Sequence, residues 1–207
     1  MANSLDTPRA PALPIPPETY TRTVFDRSNN VTRLFFNRLT TTLIDLLGTS
    51  NGGKYLYMPR GVFYSTTDQA ASSANTGYPV EFEVTSVSSG VIVGGSDDTR
   101  VTVDADGVYN FQVTLQLEQN NSSAATTYVW ARVNGSDQVY SGQKNTIAGS
   151  TNATAHWNFS LNLTASQYVE VYWSTSDTQL NLHTETASTP HPGVPAAVVS
   201  VSFVSNT

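Results

Sequence analysis

The chain has 207 residues, no cysteine, and 10 Lys/Arg against 16 Asp/Glu, for a net charge of −6. This length fits one domain of ordinary size plus an appendage, and the absence of cysteine excludes disulfides and thiolate metal sites. The acidic balance argues against nucleic acid as a main partner. The opening MANSLDTPRAPALP lacks an apolar h-region, and no stretch reaches the roughly 18 apolar residues of a membrane span. Neither a signal peptide nor membrane insertion is expected.

The charge is unevenly spread. Residues 1–60 carry seven basic and four acidic residues, whereas residues 61–207 carry three basic and twelve acidic ones. Opposite signs in two parts of one chain predict different surroundings for each.

Residues 1–17 hold five of the ten prolines: Pro8, Pro11, Pro14, Pro16 and Pro17. Proline fixes φ and lacks a donor, so this arm is expected to run extended, near polyproline II, with Leu13 and Ile15 as its apolar side chains. Laid on a neighbour it loses less entropy than a flexible arm, so it is expected to act either as a docking strap or as a simple linker.

Residues 18–47 are the one helical stretch. Val31, Phe35, Leu39, Leu43 and Leu46 recur at intervals of three and four. Leu34, Phe36, Ile44 and Leu47 widen the apolar face. Asp26 or Ser28 is the expected N-cap and Gly48 the expected stop. The seam Phe35–Leu39–Thr42–Leu46 has coiled-coil spacing, so the helix is expected to pack either on its own chain or on copies of itself. Residues 48–60, GTSNGGKYLYMPR, read as a hinge.

From 61 to 207 the pattern changes to short strands, expected at 61–65, 80–87, 90–94, 99–103, 108–118, 127–134, 137–141, 154–163, 168–174, 180–184 and 197–204. The clearest follows the turn Asp106-Gly107. Tyr109, Phe111, Val113, Leu115 and Leu117 alternate with Asn110, Gln112, Thr114 and Gln116, so one face lies in a core and one in water. Three further sets alternate likewise: Trp157, Phe159, Leu161 and Leu163; Val169, Val171 and Trp173; Val199, Val201 and Phe203. The expected class is mainly β, an antiparallel jelly-roll sandwich of roughly 8–11 strands. The segments 66–79, 119–126, 142–153 and 185–196 read as loops.

Chemistry-bearing residues are sparse. His156, His183 and His191 are scattered and belong to no cluster of histidines and acids with the spacing of a metal site. Asp97-Asp98 and Asp104-x-Asp106 read as turn carboxylates rather than a calcium loop. No nucleophile elbow or phosphate loop occurs, so no catalytic residue, metal or cofactor is expected. Tyr128 and Trp130 share one strand face with Tyr140 nearby, a candidate face for stacking on a sugar. The competing expectation places Trp130 in the core or at a subunit interface.

The order of Asp106-Gly-Val-Tyr-Asn-Phe111, Trp130-Ala-Arg-Val-Asn-Gly135, the strand of Trp157 and Leu161, Val169-Glu-Val-Tyr-Trp173 and Val199-Ser-Val-Ser-Phe203 resembles the jelly roll of the tumour-necrosis-factor and complement globular-head families. Leu13-Pro-Ile-Pro-Pro-Glu-Thr-Tyr20 followed by a helix is similar to the leader of small structural proteins in tailed-phage genomes, although Asn30-Val-Thr-Arg-Leu34 replaces their usual Asn-x-Leu helix start. The two resemblances imply a trimeric virion surface protein, in first place a capsid decoration (cement) protein. Pro14, Pro16, Pro17, Tyr20 and the apolar helix positions would then anchor it to the major capsid protein or another virion protein. The alternatives are a fibre or spike tip that binds a host-surface glycan and, further off, a secreted cytokine-like or lectin-like ligand.

Overall fold

In a computed structural model the described residues are 12, 13, 15, 18–48 and 58–206. Pro14, Pro16, Pro17, most of the Pro-rich arm and the hinge segment 49–57 lie outside them. The chain divides into two compact units, residues 1–57 and 58–207.

The first unit contains one helix, α1 (Arg22–Leu47). Gly48 ends it as expected, its N–H donating to the Ile44 carbonyl. The start differs from expectation. Thr21 is the N-cap and makes no side-chain cap bond, while Asp26 and Ser28 lie inside the first two turns. Asp26 instead pairs with Arg22 one turn earlier, at 3.7 Å, an exposed pair of small energetic weight.

The second unit is a sandwich of two antiparallel sheets. Its fourteen strands are β1 (Arg60–Ser65), β2 (Gln69–Ala70), β3 (Tyr78–Pro79), β4 (Val84–Ser89), β5 (Val91–Gly94), β6 (Arg100–Val103), β7 (Gly107–Gln119), β8 (Ala125–Val133), β9 (Ser136–Asp137), β10 (Gln143–Ile147), β11 (Thr151–Leu163), β12 (Tyr168–Thr175), β13 (Leu180–Leu182) and β14 (Ala197–Ser205). Ten of them have four residues or more, within the expected range. The first sheet runs β4-β1-β14-β7-β11, with β13 and β2 continuing beside the end of β7; the second runs β5-β6-β12-β8-β10, with β3 and β9 as short additions.

Alternation explains the core. All five apolar positions of β7, from Tyr109 to Leu117, are buried, as are Val169, Val171 and Trp173 of β12 and Val199, Val201 and Phe203 of β14. They join Phe63, Val101, Val129, Leu180 and Leu182 in one apolar cluster drawn from both sheets. A fully buried Val, Leu or Phe contributes about 1.5–3 kcal/mol, so this single cluster suffices to hold a cysteine-free domain. The Tyr109 phenol, buried against Phe203, satisfies its hydroxyl by donating to the Ala105 carbonyl at 2.8 Å.

Three expected boundaries change. The segment 80–87 forms a strand only from Val84. Val80 and Phe82 are buried but donate single backbone bonds to Val171 and Asp98 rather than joining a ladder. The segment 137–141 is mostly a turn, because β9 stops at Asp137. The expected loop 142–153 contains β10 and the start of β11. Lys144 and Thr146 are exposed and the half-buried positions before Ile147 are the polar Gln143 and Asn145, so no apolar alternation marks the strand and backbone pairing with β8 defines it.

Candidate functional site

Three surfaces of the described residues combine exposure with specific chemistry. The first is α1. None of its residues is buried. Val24, Ser28, Val31, Thr32, Phe35, Leu39 and Thr42 are half-buried, while Phe25, Leu34, Phe36, Leu43, Ile44, Leu46 and Leu47 are exposed. Tyr20 stacks on Phe25 at 4.9 Å just outside the helix start. The half-buried positions other than Thr32, continued to the exposed Leu46, step by 4, 3, 4, 4, 3 and 4 residues. That is an eleven-residue repeat, at which a straight helix keeps one stripe aligned and self-packing supercoils to the right. Of the expected anchor residues, Val31, Phe35, Leu39, Leu43 and Leu46 thus share one side of α1.

The second surface is the open flank of the first sheet. β11 pairs with β7 over thirteen consecutive residues without a bulge, and no strand among the described residues pairs with its other side. Natural edge strands are guarded by charge, proline, bulges or shortness. β11, with the sequence TNATAHWNFSLNL, has none of these. Trp157 stacks on Phe159 at 3.9 Å and Phe159 on Phe111 at 5.1 Å, yet Trp157, Phe159 and Leu161 stay half-exposed at this margin, unlike the buried Leu163. The adjoining outer face carries Asn110, Gln112, Thr114 and Gln116 beside Thr154, His156, Asn158 and Ser160. They are tied by Asn110–Asn158 (2.6 Å), Thr114–His156 (3.1 Å) and Thr154–Gln116 (3.1 Å) hydrogen bonds. Those eight positions include no carboxylate, lysine or arginine.

The third surface is the outer face of the second sheet. Cross-strand register sets Tyr172 opposite Trp130, Ser174 opposite Tyr128, Glu170 opposite Arg132, and Lys144 opposite Tyr128. Trp130 therefore points outward, correcting the expectation of a core position. It is half-exposed and tilted against Tyr172 at 5.6 Å, and its indole N–H donates to Asp137 Oδ1 at 2.8 Å. Each of the three basic residues of 61–207 lies over a tyrosine: Arg100 over Tyr168 and Arg132 over Tyr172, both at 4.5 Å, and Lys144 over Tyr128 at 5.9 Å. Arg100 is also paired with the buried Glu170 (3.4 Å), and Arg132 with Asp137 (3.0 Å).

Tyr140 is not in the plane of that face. It occupies the turn between β9 and β10, 102 % exposed relative to a reference tyrosine, with φ +60°. Sequence reasoning found Tyr128, Trp130 and Tyr140 but missed Arg100, Arg132, Lys144, Tyr168 and Tyr172. Arg132 follows Trp130 by two residues on β8 and could have been found by alternation; the others lie on strands up to seventy residues apart that only register unites.

The histidines separate. His156 bonds Thr114 on the first sheet, and His191 lies in the 187–192 loop beside Pro192. His183 has acidic neighbours that no local spacing announces: its Nδ1 stands 3.2 Å from Asp68 and 3.4 Å from Glu118. Among the described residues no group of three or more His, Asp or Glu side chains is placed to hold a metal ion. No described helix is long and apolar enough to cross a membrane. Of the turn carboxylates, Asp106 accepts from the Ala165 N–H at 2.7 Å. Glu81 is pushed above the usual carboxylate range by burial and by Asp97, Glu83 and Asp98. No protein-family model matches the chain, and no curated protein matches it.

Proposed function

We propose that the protein is a homotrimeric virion structural protein, a capsid decoration protein held to the particle by its N-terminal arm and α1. The observation that carries this reading is α1 itself, a 26-residue helix with seven large apolar side chains exposed and none buried. Burial is worth roughly 25 cal/mol per Å² of apolar surface, so such a helix favours a partner. In this reading the partner is other copies of α1 together with the major capsid protein or another virion protein.

The head supports self-association. Counting β1, β6, β7, β8, β10, β11, β12 and β14 as strands one to eight, the sheets run 1-8-3-6 and 2-7-4-5, an order that supports a jelly roll of interlocked Greek keys. A sandwich whose residues 61–207 carry a net −9 repels its copies wherever acids cluster. The charge-free face and the unguarded β11 margin are where identical heads meet without that repulsion.

Particles assembled without the protein are the test. A cement protein binds the finished shell and stabilises it by mass action, so such particles should release genome at lower temperature while still adsorbing to cells. Unchanged thermal release with lost adsorption would instead favour the second reading, a glycan-binding fibre or spike tip, for which the outward Tyr128 and Trp130 speak.

A further inference from the structure

We propose that the outer face of the second sheet, around Tyr128, Trp130, Lys144 and Tyr140, is a binding site for an acidic saccharide, one bearing a carboxylate on a pyranose ring. The inference deepens the glycan-binding reading and is independent of where the protein sits on a particle.

The first support is electrostatic. Residues 61–207 hold twelve acids and three bases, and all three bases lie on this one face. Elsewhere the head repels anions; here it does not. Two of the cations are already used, Arg100 by Glu170 and Arg132 by Asp137. Lys144 is exposed, and among the described residues its ammonium makes no ion pair. Its nearest aromatic partner is the 46 % exposed Tyr128 ring. An ammonium beside an open phenol ring offers a carboxylate and the apolar face of a sugar ring their two contacts side by side.

The second support is preorganisation. Trp130 is fixed by its bond to Asp137, by the Tyr172 ring, and by Gly77, where an added Cβ would fall 2.9 Å from the indole ring and 3.4 Å from the Tyr172 ring. Tyr128 and Trp130 stand two residues apart on one strand, so their rings are offset by about 7 Å along the sheet. Rings held in place before binding lose little entropy on contact. Such a flat, half-polar platform suits a saccharide better than an apolar peptide helix, which needs a groove.

The third support is the turn beside it. Tyr140 has φ +60°, a region that a bulky residue adopts at a cost, and its side chain is fully in solvent next to the exposed Val139. The turn is held by backbone bonds to the neighbouring strand: Gln138 N–H to the Ala131 carbonyl, and Ala131 N–H to Ser141 Oγ. It leaves an aromatic side chain in solvent in the turn that follows the strand of Tyr128 and Trp130.

The test is calorimetric titration of the full-length protein with oligogalacturonate and with sialyllactose. The controls are carboxyl-reduced oligogalacturonate, lactose and poly-glutamate. At least one acidic sugar should bind. Its neutral counterpart should bind about tenfold more weakly or not at all, and affinity should fall with salt. Lys144→Gln and Tyr128→Ala, both at exposed positions, should each weaken binding about tenfold with an unchanged melting curve. Amide shifts on titration should fall within 126–146 and 168–174. Equal binding of the acidic and neutral sugars, lost on Trp130→Ala, would keep a glycan site but overturn its acidic specificity. Equal binding of poly-glutamate would reduce the face to a charge patch for proteins and overturn the proposal. Absence of binding to both acidic sugars, or full affinity in Lys144→Gln, would also overturn it.

Discussion

Gln119, the last residue of β7 and 1 % exposed, donates from Nε2 to Oδ2 of Asp177 at 3.1 Å. The same carboxylate accepts from the Gln179 N–H at 3.0 Å and from Asn121 at 2.9 Å. Asp177 thus ties the turn after β12 to the end of β7.

These donors hold the Asp177 carboxyl below the usual aspartate range, the Gln179 N–H first and then the Gln119 and Asn121 side chains. A group whose folded pKa is depressed contributes stability above its unfolded value and loses it as pH falls through the folded one. Asp177→Asn should therefore lower the melting temperature by a constant amount between pH 5 and 8. The gap to the parent should close below about pH 4, where the unfolded aspartate takes up its proton. Thermal melts across that range check this; a gap that widens in acid would contradict it.

Burial, joined by the nearby Asp104 charge, pushes the Tyr109 phenol up to about 12. The unfolded chain ionises this group near pH 10, so stability should fall as pH rises from there to about 12. Tyr109→Phe should remove that alkaline loss while costing about 1 kcal/mol at pH 7. The cost comes from the hydrogen bond to the Ala105 carbonyl. Denaturant titrations at pH 7 and pH 10.5 separate the two effects.

Gly107 opens β7 against Phe203. A Cβ there would lie 2.3 Å from the Phe203 ring and 2.8 Å from the Ser205 carbonyl oxygen. Gly107→Ala should destabilise by about 1–3 kcal/mol, because backbone cannot move aside as a flexible side chain does. Gly94→Ala, where nothing lies within 4 Å, is the matched control and should be close to neutral in the same chemical denaturation series.

The charge-free flank gives a test of assembly. Asn158 is exposed on the outer face of β11. Asn158→Lys places a charge that would have to be desolvated in any contact through that face, without touching the core. Sedimentation equilibrium should return about three times the 22.3 kDa chain mass for the parent and a shift toward the single-chain mass for the variant. A parent that sediments as one chain at every concentration would remove the trimer.

What was readable in the sequence follows from which signals are local. Tyr109 to Leu117, Val169 to Trp173 and Val199 to Phe203 announced their strands because one face of each is buried and period two survives in the residues. β10 stayed hidden because Ile147 is its one buried residue. Val80 and Phe82 misled in the opposite way: their alternation is real, but it serves burial without a ladder. Tyr128 and Trp130 were visible as neighbours on one strand. Their partners Lys144 and Tyr172 were not, since cross-strand pairing is written in register rather than in spacing, whereas Arg132, two residues past Trp130 on the same strand, was within reach of the alternation. The same holds for His183, whose carboxylates arrive from residues 68 and 118.

The position of β14 sets the timing of the whole sandwich. It lies between β1 and β7, so on that flank β1 has no neighbour until residues 197–205 have been made, more than 130 residues later. At about 5–20 residues per second on the ribosome, β1 and β7 wait roughly ten seconds for the strand that joins them. The first sheet therefore cannot close until β14 has been made. Through that interval the nascent chain holds Phe63, Phe111 and Val113 uncovered, a period in which a chaperone has something to grip.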